Sequence, residues 1–417
     1  MRLRNYIFGI ITAAFCLSAC EPADPELKHE PMPCKPYSLT RAQSEMVDGG
    51  NSFAFNLLEA VSNDENFTGK DFMVSPLSVS LLLGAMNNGA IGQTSEEILN
   101  ALGFEDCTAA DINEYSKTIL QGCPGVDNLV KVRMANAVAV KEGLTLKNGF
   151  SEALSTYYDA YVRSMKFDDT AVKEINSWCH EQTEGMIPEI IDEIDPRTVL
   201  IALNSIYFNG IWKSKFSEKD TKKESFKSID GTSGKVKMMH AEGSFEHSSN
   251  HIWSTVKLPY GNGSYSMYVL LPHEDKTVSD VISALDEKTW ETAKNTMGTK
   301  TVDLKLPAFE TETEVNLVNI MKSLGMTRAF DPYQAEFNEM LELPDGSIYL
   351  GLLKQKSKIK VNEEGTEAAA VTVGGFCGTS VQPPTGPAKF HADRPFIYLI
   401  QEQSSNAIFF IGTKVRS

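Results

Sequence analysis

The chain has 417 residues, 42% of them hydrophobic and 23% charged, a globular composition that excludes a disordered or fibrous protein. With 39 Lys and Arg against 55 Asp and Glu, the formal net charge is −16. That balance gives no electrostatic hold on nucleic acid or anionic headgroups, so no nucleic-acid partner is expected.

The N-terminus reads as a targeting segment. Arg2 and Arg4 precede an apolar run over 7–17 that is too short to span a bilayer and ends in Leu17-Ser18-Ala19-Cys20. Small residues before a cysteine resemble the lipobox of bacterial lipoproteins. That resemblance implies that 1–19 is a signal peptide and that Cys20 carries lipid. The protein would then be exported and anchored to a bacterial membrane, facing the periplasm or the cell surface. The other reading is an ordinary cleaved signal with Cys20 incidental. Pro22, Pro25, Pro31, Pro33 and Pro36 make 20–38 a semi-extended tether that builds no core. The folded domain is expected over 39–417.

Phe53, Phe55, Leu57, Leu58 and Val61 suit an early helix. Ser75-Pro76 starts another, with serine as cap and proline at the first helical position, and the apolar run 77–86 continues it. A turn at 89–92 precedes Thr94 and Glu97, which have capping-box spacing. The second half changes period. Strands are expected at 199–208, 252–259, 264–271, 301–306, 348–353, 357–361, 396–401 and 407–413. The continuous apolar run 267–271 suggests a strand covered on both faces. Helices early and strands late predict an α+β fold in one large domain.

No catalytic or metal motif emerges. The seven histidines show no H-E-x-x-H spacing, and neither a G-x-S-x-G elbow nor a phosphate loop is present. Gly261-Asn262-Gly263 reads as a hairpin turn. Cys179 and His180 are neighbours on an expected helix, so their side chains diverge. Cys34, Cys107, Cys123, Cys179 and Cys377 lack zinc spacing. Cys107 and Cys123 could pair in an exported protein, with unpaired thiols as the alternative. No cofactor and no metal are expected. A hydrolase with a dispersed triad stays open, since triads assemble from distant residues.

The informative stretch is 361–387, a long irregular segment between strand-like runs near the C-terminus, and such loops are functional or disordered. Gly365 offers a pivot. Beyond it, alternate positions of an extended chain share a face. Thr366, Ala368, Ala370 and Thr372 would line one side, small and uncharged, with Glu367 on the other. The segment could enter a sheet as a strand.

Asn362-Glu363-Glu364-Gly365-Thr366-Glu367-Ala368-Ala369-Ala370 resembles the hinge of the reactive loop of inhibitory serpins. Other stretches agree. Asn204-Ser205-Ile206-Tyr207-Phe208-Asn209-Gly210-Ile211-Trp212 is similar to a central-sheet strand and the tryptophan where that sheet opens. Ser75-Pro76-Leu77-Ser78 resembles the start of the helix beneath it. Val236-Lys237-Met238-Met239, Leu258-Pro259-Tyr260, Leu324-Gly325-Met326, Asp393-Arg394-Pro395-Phe396 and Phe409-Phe410-Ile411-Gly412 also match. The resemblance implies a serpin fold, with three β-sheets, eight to nine helices and an exposed reactive loop over about 363–388. It also implies a suicide inhibitor of serine proteases, with cysteine proteases as a further target class. The cut loop would enter the sheet as an extra strand while still joined to the protease.

In that family the cut usually falls at the seventeenth residue from the first hinge glutamate. Counted from Glu363, this gives Thr379-Ser380, and a small residue before the bond suits an elastase-like or subtilisin-like protease. Phe376-Cys377 is the alternative, suited to a chymotrypsin-like enzyme. Cys377 is an ordinary thiol or a redox control point. Ser75, Asn204, Trp212 and Gln355 are the implied sheet-opening residues. Gln355 stands where family members often have histidine, so a histidine-based pH effect is not expected, and Asn204 and Ser75 are its implied partners. The region matching the heparin-binding helix, about 107–121, has Lys117 as its one base, so heparin is not expected to activate. A monomer is expected. The alternative function is a non-inhibitory serpin-fold binding or carrier protein.

Overall fold

A computed structural model describes residues 30–36, 38–195, 197–343, 348–366 and 386–417. In chain order the regular elements are α1 (Arg41–Asn63), β1 (Phe72–Val74), α2 (Pro76–Asn87), α3 (Gly92–Leu102), α4 (Ala109–Gly122), β2 (Val130–Lys141), β3 (Thr145–Leu146), α5 (Asn148–Tyr157), β4 (Tyr161–Met165), α6 (Asp169–Gln182), β5 (Leu200–Ile211), β6 (Lys222–Lys227), β7 (Ser233–Ser249), β8 (Trp253–Pro259) and β9 (Tyr265–Pro272). After these come α7 (Val278–Ala284), α8 (Glu287–Asn295), β10 (Gly298–Pro307), β11 (Phe309–Asn316), α9 (Leu317–Ser323), β12 (Leu341–Glu342), β13 (Lys354–Val361), β14 (Gly365–Thr366), β15 (Ala388–His391), β16 (Phe396–Glu402) and β17 (Ile408–Lys414). Among the described residues this gives nine helices and three sheets, the α+β architecture expected.

The six-stranded sheet runs β11-β13-β14-β5-β2-β4, and the nine-stranded sheet contains the path β1-β17-β16-β9-β8-β7-β10-β15. Every residue of β9, β16 and β17 is buried, so the unbroken apolar runs of those strands are covered on both faces. Helix α2 starts as its sequence predicts. Ser75 accepts from the Ser78 amide, Pro76 opens the first turn, and all twelve residues of the helix are buried. It lies under the six-stranded sheet, whose inner side chains, such as Ile206, Phe208, Ile359 and Val361, join the main core. On the outer face, α6 packs Ile175 and Cys179 against Ala137, Ala139, Ile201 and Leu203.

Several expectations are corrected. Strands are not confined to the second half: β2 lies between β5 and the edge strand β4 of the six-stranded sheet, and its Val130, Val132 and Val138 join the main core. Thr94 and Glu97 form no capping box. Helix α3 begins three residues earlier with Ile91 as cap and no side-chain bond, and both residues serve tertiary contacts. Thr94 accepts from the Glu336 amide, and Glu97 from the amides of Thr327 and Arg328. Residues 348–353 form no strand; pairing starts at Lys354, where β11 supplies a partner. Cys107 is a free thiol, so it is not joined to Cys123. The end of the tether touches the domain: Asn128 bonds Met32 N and Glu30 O, and the Ser264 hydroxyl meets the Cys34 sulfur at 3.3 Å. The Gly261-Asn262-Gly263 turn does join antiparallel β8 and β9, its two glycines at φ +42° and +99°.

Candidate functional site

The expected hinge begins where β13 ends. Asn362 Oδ1 accepts from the amides of Glu364 and Gly365 at 3.0 and 3.1 Å, and Asn362 N–H donates to Gly365 O at 2.9 Å. These local bonds reverse the chain and lay Gly365-Thr366 antiparallel to both neighbours. Thr366 pairs with Val361 of β13 on one side and with Gly210 of β5 on the other. Glycine is required here. Gly365 has φ +154°, and a Cβ would overlap Gly210 O and lie 2.8 Å from Ile211 Cα.

Trp212 secures the turn. Its indole N–H donates to Asn362 O at 2.8 Å, its backbone N–H to Glu364 O at 2.9 Å, and its ring stacks on Tyr260 at 4.3 Å. The Phe216 amide donates to Glu363 O, and Lys215 pairs with the Glu364 carboxylate. Thr366 is fully buried, its hydroxyl 2.6 Å from Tyr260 OH. Burial holds the Tyr260 phenol well above its usual pKa, so it stays neutral and bonds as a hydroxyl.

Strand β14 bonds to both β13 and β5, so the two flanking strands stand two strand spacings apart at this level, roughly 9–10 Å. Among the described residues, no ladder joins β5 directly to β13 anywhere along their lengths. Each is fully paired on its outer side, β5 to β2 and β13 to β11. Outward, Lys354, Lys356 and Lys358 of β13 reach Glu310, Glu312 and Glu314 of β11. Inward, β13 presents Gln355, Ser357, Ile359 and Val361, all buried.

A polar chain runs beneath this slot. The Gln355 carboxamide bonds both the N–H and the C=O of Ser75. The Ser75 hydroxyl donates to Phe409 O and accepts from Ser78 N. Ser78 donates to Asn204 Oδ1, Asn204 to Asn136 Oδ1 at 2.7 Å, and Asn136 to Tyr158 O at 2.8 Å. Tyr158 OH then donates to Asn113, which is bonded to Asn88. Ser75 is therefore a partner of Gln355 as expected, but Asn204 is not: its bonds go to Ser78 and Asn136, and no ladder joins β5 to β13 among the described residues. Asn136 was missed by the sequence reading. Its signal is a lone amide at an inward position of an otherwise apolar stretch, directly opposite Asn204 in register.

The four sheet-opening candidates thus form two groups, Trp212 with the hinge turn and Ser75, Asn204 and Gln355 below it. Glu363, Glu364, Gly365 and Thr366 are placed. Glu367, Ala368, Ala369, Ala370, Phe376, Cys377, Thr379, Ser380 and Cys20 lie outside the described residues. Cys179 is buried against β5 and its thiol is pushed up to about 11 by burial, while His180 faces solvent, so the two do not act as a pair.

Comparison with known proteins agrees with this arrangement. A family model described as Serpin (serine protease inhibitor) matches residues 48–417. Glia-derived nexin of Rattus norvegicus is 32% identical over 356 residues, covering 82% of this chain and 87% of its own. Among solved structures, the thermophilic serpin tengpin in its native state has a TM-score of 0.83 at 27% identity, covering 93% of this chain and 97% of its own. Human thyroxine-binding globulin has a TM-score of 0.80 at 25% identity, with 90% and 100% covered.

Proposed function

The chain belongs to the serpin family, and on that premise we propose that it is a suicide inhibitor of serine proteases, with a reactive loop over about 363–388 as the bait. The observation that carries this reading is the seat of Gly365-Thr366 between β13 and β5. Continued at the same register in the cleaved protein, 368, 370 and 372 fall opposite Phe208, Ile206 and Asn204 of β5 and opposite Ile359, Ser357 and Gln355 of β13. All six of those residues are buried. The positions that must face the core are thus Ala368, Ala370 and Thr372, which are small and uncharged enough to enter. Each residue entering the slot gains ladder bonds worth about 0.5–1.5 kcal/mol net apiece, so the inserted form is the more stable one and the intact form is held kinetically.

Thr379-Ser380 is the proposed scissile bond, with Phe376-Cys377 as the second choice. The partner is an elastase-like or subtilisin-like protease that accepts a small residue before the cut. The test is to mix the protein with such proteases and run a denaturing gel, then identify the cut by mass spectrometry of the released C-terminal peptide. A complex that survives denaturation supports the proposal; cleavage without any covalent complex across a broad panel of serine proteases overturns it.

The similarity to thyroxine-binding globulin favours one second reading, a serpin-fold carrier. The two separate by melting: loop insertion after cleavage raises the unfolding temperature, whereas a carrier whose loop stays out of the sheet gains nothing. The pattern ending at Cys20 supports export and lipid anchoring. Among the described residues, no helix is long and apolar enough to cross a membrane.

A further inference from the structure

Three adjacent strands bring two imidazoles to one carboxylate. Asp303 is on β10, which pairs with β7 on one side and β15 on the other. His240 of β7 places Nε2 2.8 Å from Asp303 Oδ1, and His391 of β15 places Nε2 2.8 Å from Oδ2. An ionised carboxylate only accepts, so each neutral ring must carry its proton on Nε2. Burial works to raise the Asp303 carboxyl, but the bonds from His391 and His240 outweigh it and hold it below its usual value.

The strand being held is unusual. β15 has four residues, lies at the end of its sheet, and has β10 as its one strand partner among the described residues. It is also the strand into which the proposed reactive loop leads. Besides the ladder, its attachments include buried Phe390, Ala388 packed against the core, the Ala392 amide bonded to Lys305 O at 2.9 Å, Arg394 donating to His391 O at 3.4 Å, and His391 on Asp303.

We propose that Asp303 is a positioning residue that clasps β15 to the sheet through His391, braced by His240, and that the clasp tightens as the imidazoles take up protons. A bond from imidazolium to carboxylate is charge-assisted and roughly twice as strong as its neutral counterpart. Charged groups surround the two rings. Glu242 of β7 stands opposite Asp303, with Lys389 of β15 on its other side. Lys305, next outward on β10, is paired with Glu224 of β6, and Arg394 is paired with Asp393 beside His391. Four carboxylates, Glu224, Glu242, Asp303 and Asp393, and three cations, Lys305, Lys389 and Arg394, thus lie around the pair, and Lys227, His273 and Glu274 line the adjoining hollow. On the inner face the His247 ring meets Phe390 edge-on at 6.3 Å. Burial and then Lys300 hold its pKa down, and it makes no bond to Asp303. The bearing on inhibition rests on the proposed reactive loop; the clasp itself does not.

Hydrogen–deuterium exchange over 388–395, corrected for intrinsic rates, tests it in the full chain at pH 6 and pH 8. The unmodified protein is expected to protect β15 on the order of fivefold more at pH 6, from the gain of one neutral bond becoming charge-assisted. Asp303→Asn should lose that difference and exchange faster at both values. His391→Gln can still donate to Asp303 but cannot titrate, so it should match the unmodified protein at pH 8 and gain nothing at pH 6. A pH gain that survives in His391→Gln overturns the proposal, as does unchanged β15 exchange in a folded Asp303→Asn. If Asp303→Asn unfolds, His391→Gln decides alone. Exchange at β15 is read without any protease, so failure of the clasp and failure of inhibition are separate results.

Discussion

The carboxamide of Gln355 grips the backbone of Ser75 at both ends: Ser75 N–H donates to Gln355 Oε1 at 2.8 Å, and Gln355 Nε2 donates to Ser75 O at 3.0 Å. All four groups are buried. The bonds tie β13 to the first turn of α2, while Ser78, one turn on, is tied to Asn204 of β5. One helix start thus holds both flanks of the slot. Gln355→Ala should leave the buried Ser75 amide without a partner, at about 1–3 kcal/mol, while the Ser75 carbonyl keeps the Val79 amide, and should lower the urea midpoint accordingly. Gln355→His should make stability depend on pH between 5 and 8, a dependence absent from the parent at this position.

Gly365→Ala should unseat the hinge. A Cβ would overlap Gly210 O, and non-glycine residues in such backbone regions cost about 1–3 kcal/mol. In titrations against a target protease, the stoichiometry of inhibition should rise from near one to several, because a slower-entering loop lets the acyl-enzyme hydrolyse first.

Thr366→Arg places a guanidinium where the hydroxyl now meets Tyr260 OH in a buried site. The slot cannot solvate that charge. The variant should be cleaved as a substrate, with no covalent complex on the gel. Unchanged complex formation would contradict insertion as the trapping step.

Glu287 opens α8, yet its carboxyl is pushed up to about 7, first by burial, with Asp48 and Glu291 adding and Lys294 opposing. A carboxyl with a raised native pKa holds its proton better folded than unfolded. Its penalty therefore grows as pH rises from the unfolded value near 4.3 to about 7 and is constant above. Glu287→Gln should stabilise the protein at pH 8 and change little at pH 5, as read by chemical denaturation at each pH.

Cys20→Ala should remove the proposed lipid anchor. When the full chain is expressed in a bacterium that processes lipoproteins, the protein should move from the membrane pellet to the soluble fraction, and mass spectrometry should show the loss of acyl mass. Retention in the pellet would mean another attachment.

The sequence by itself determined what depends on local pattern. Ser75-Pro76 sets a helix start because a serine cap and an N-terminal proline act within one turn. The apolar runs of β9 and β16 set buried strands, and the small residues after Gly365 follow the period of an extended chain. Only the tertiary structure decided what depends on which strands lie side by side. Asn204 and Gln355 face the same helix from strands that share no ladder, and in place of their expected contact each bonds that helix start separately, through Ser78 and Ser75. Asn136 joined the network because register sets it opposite Asn204, and Thr94 and Glu97 left their capping role for partners more than two hundred residues away. Hydrogen bonds of such long sequence separation leave no periodic trace in the chain: their geometry exists only once the sheets and helices have packed.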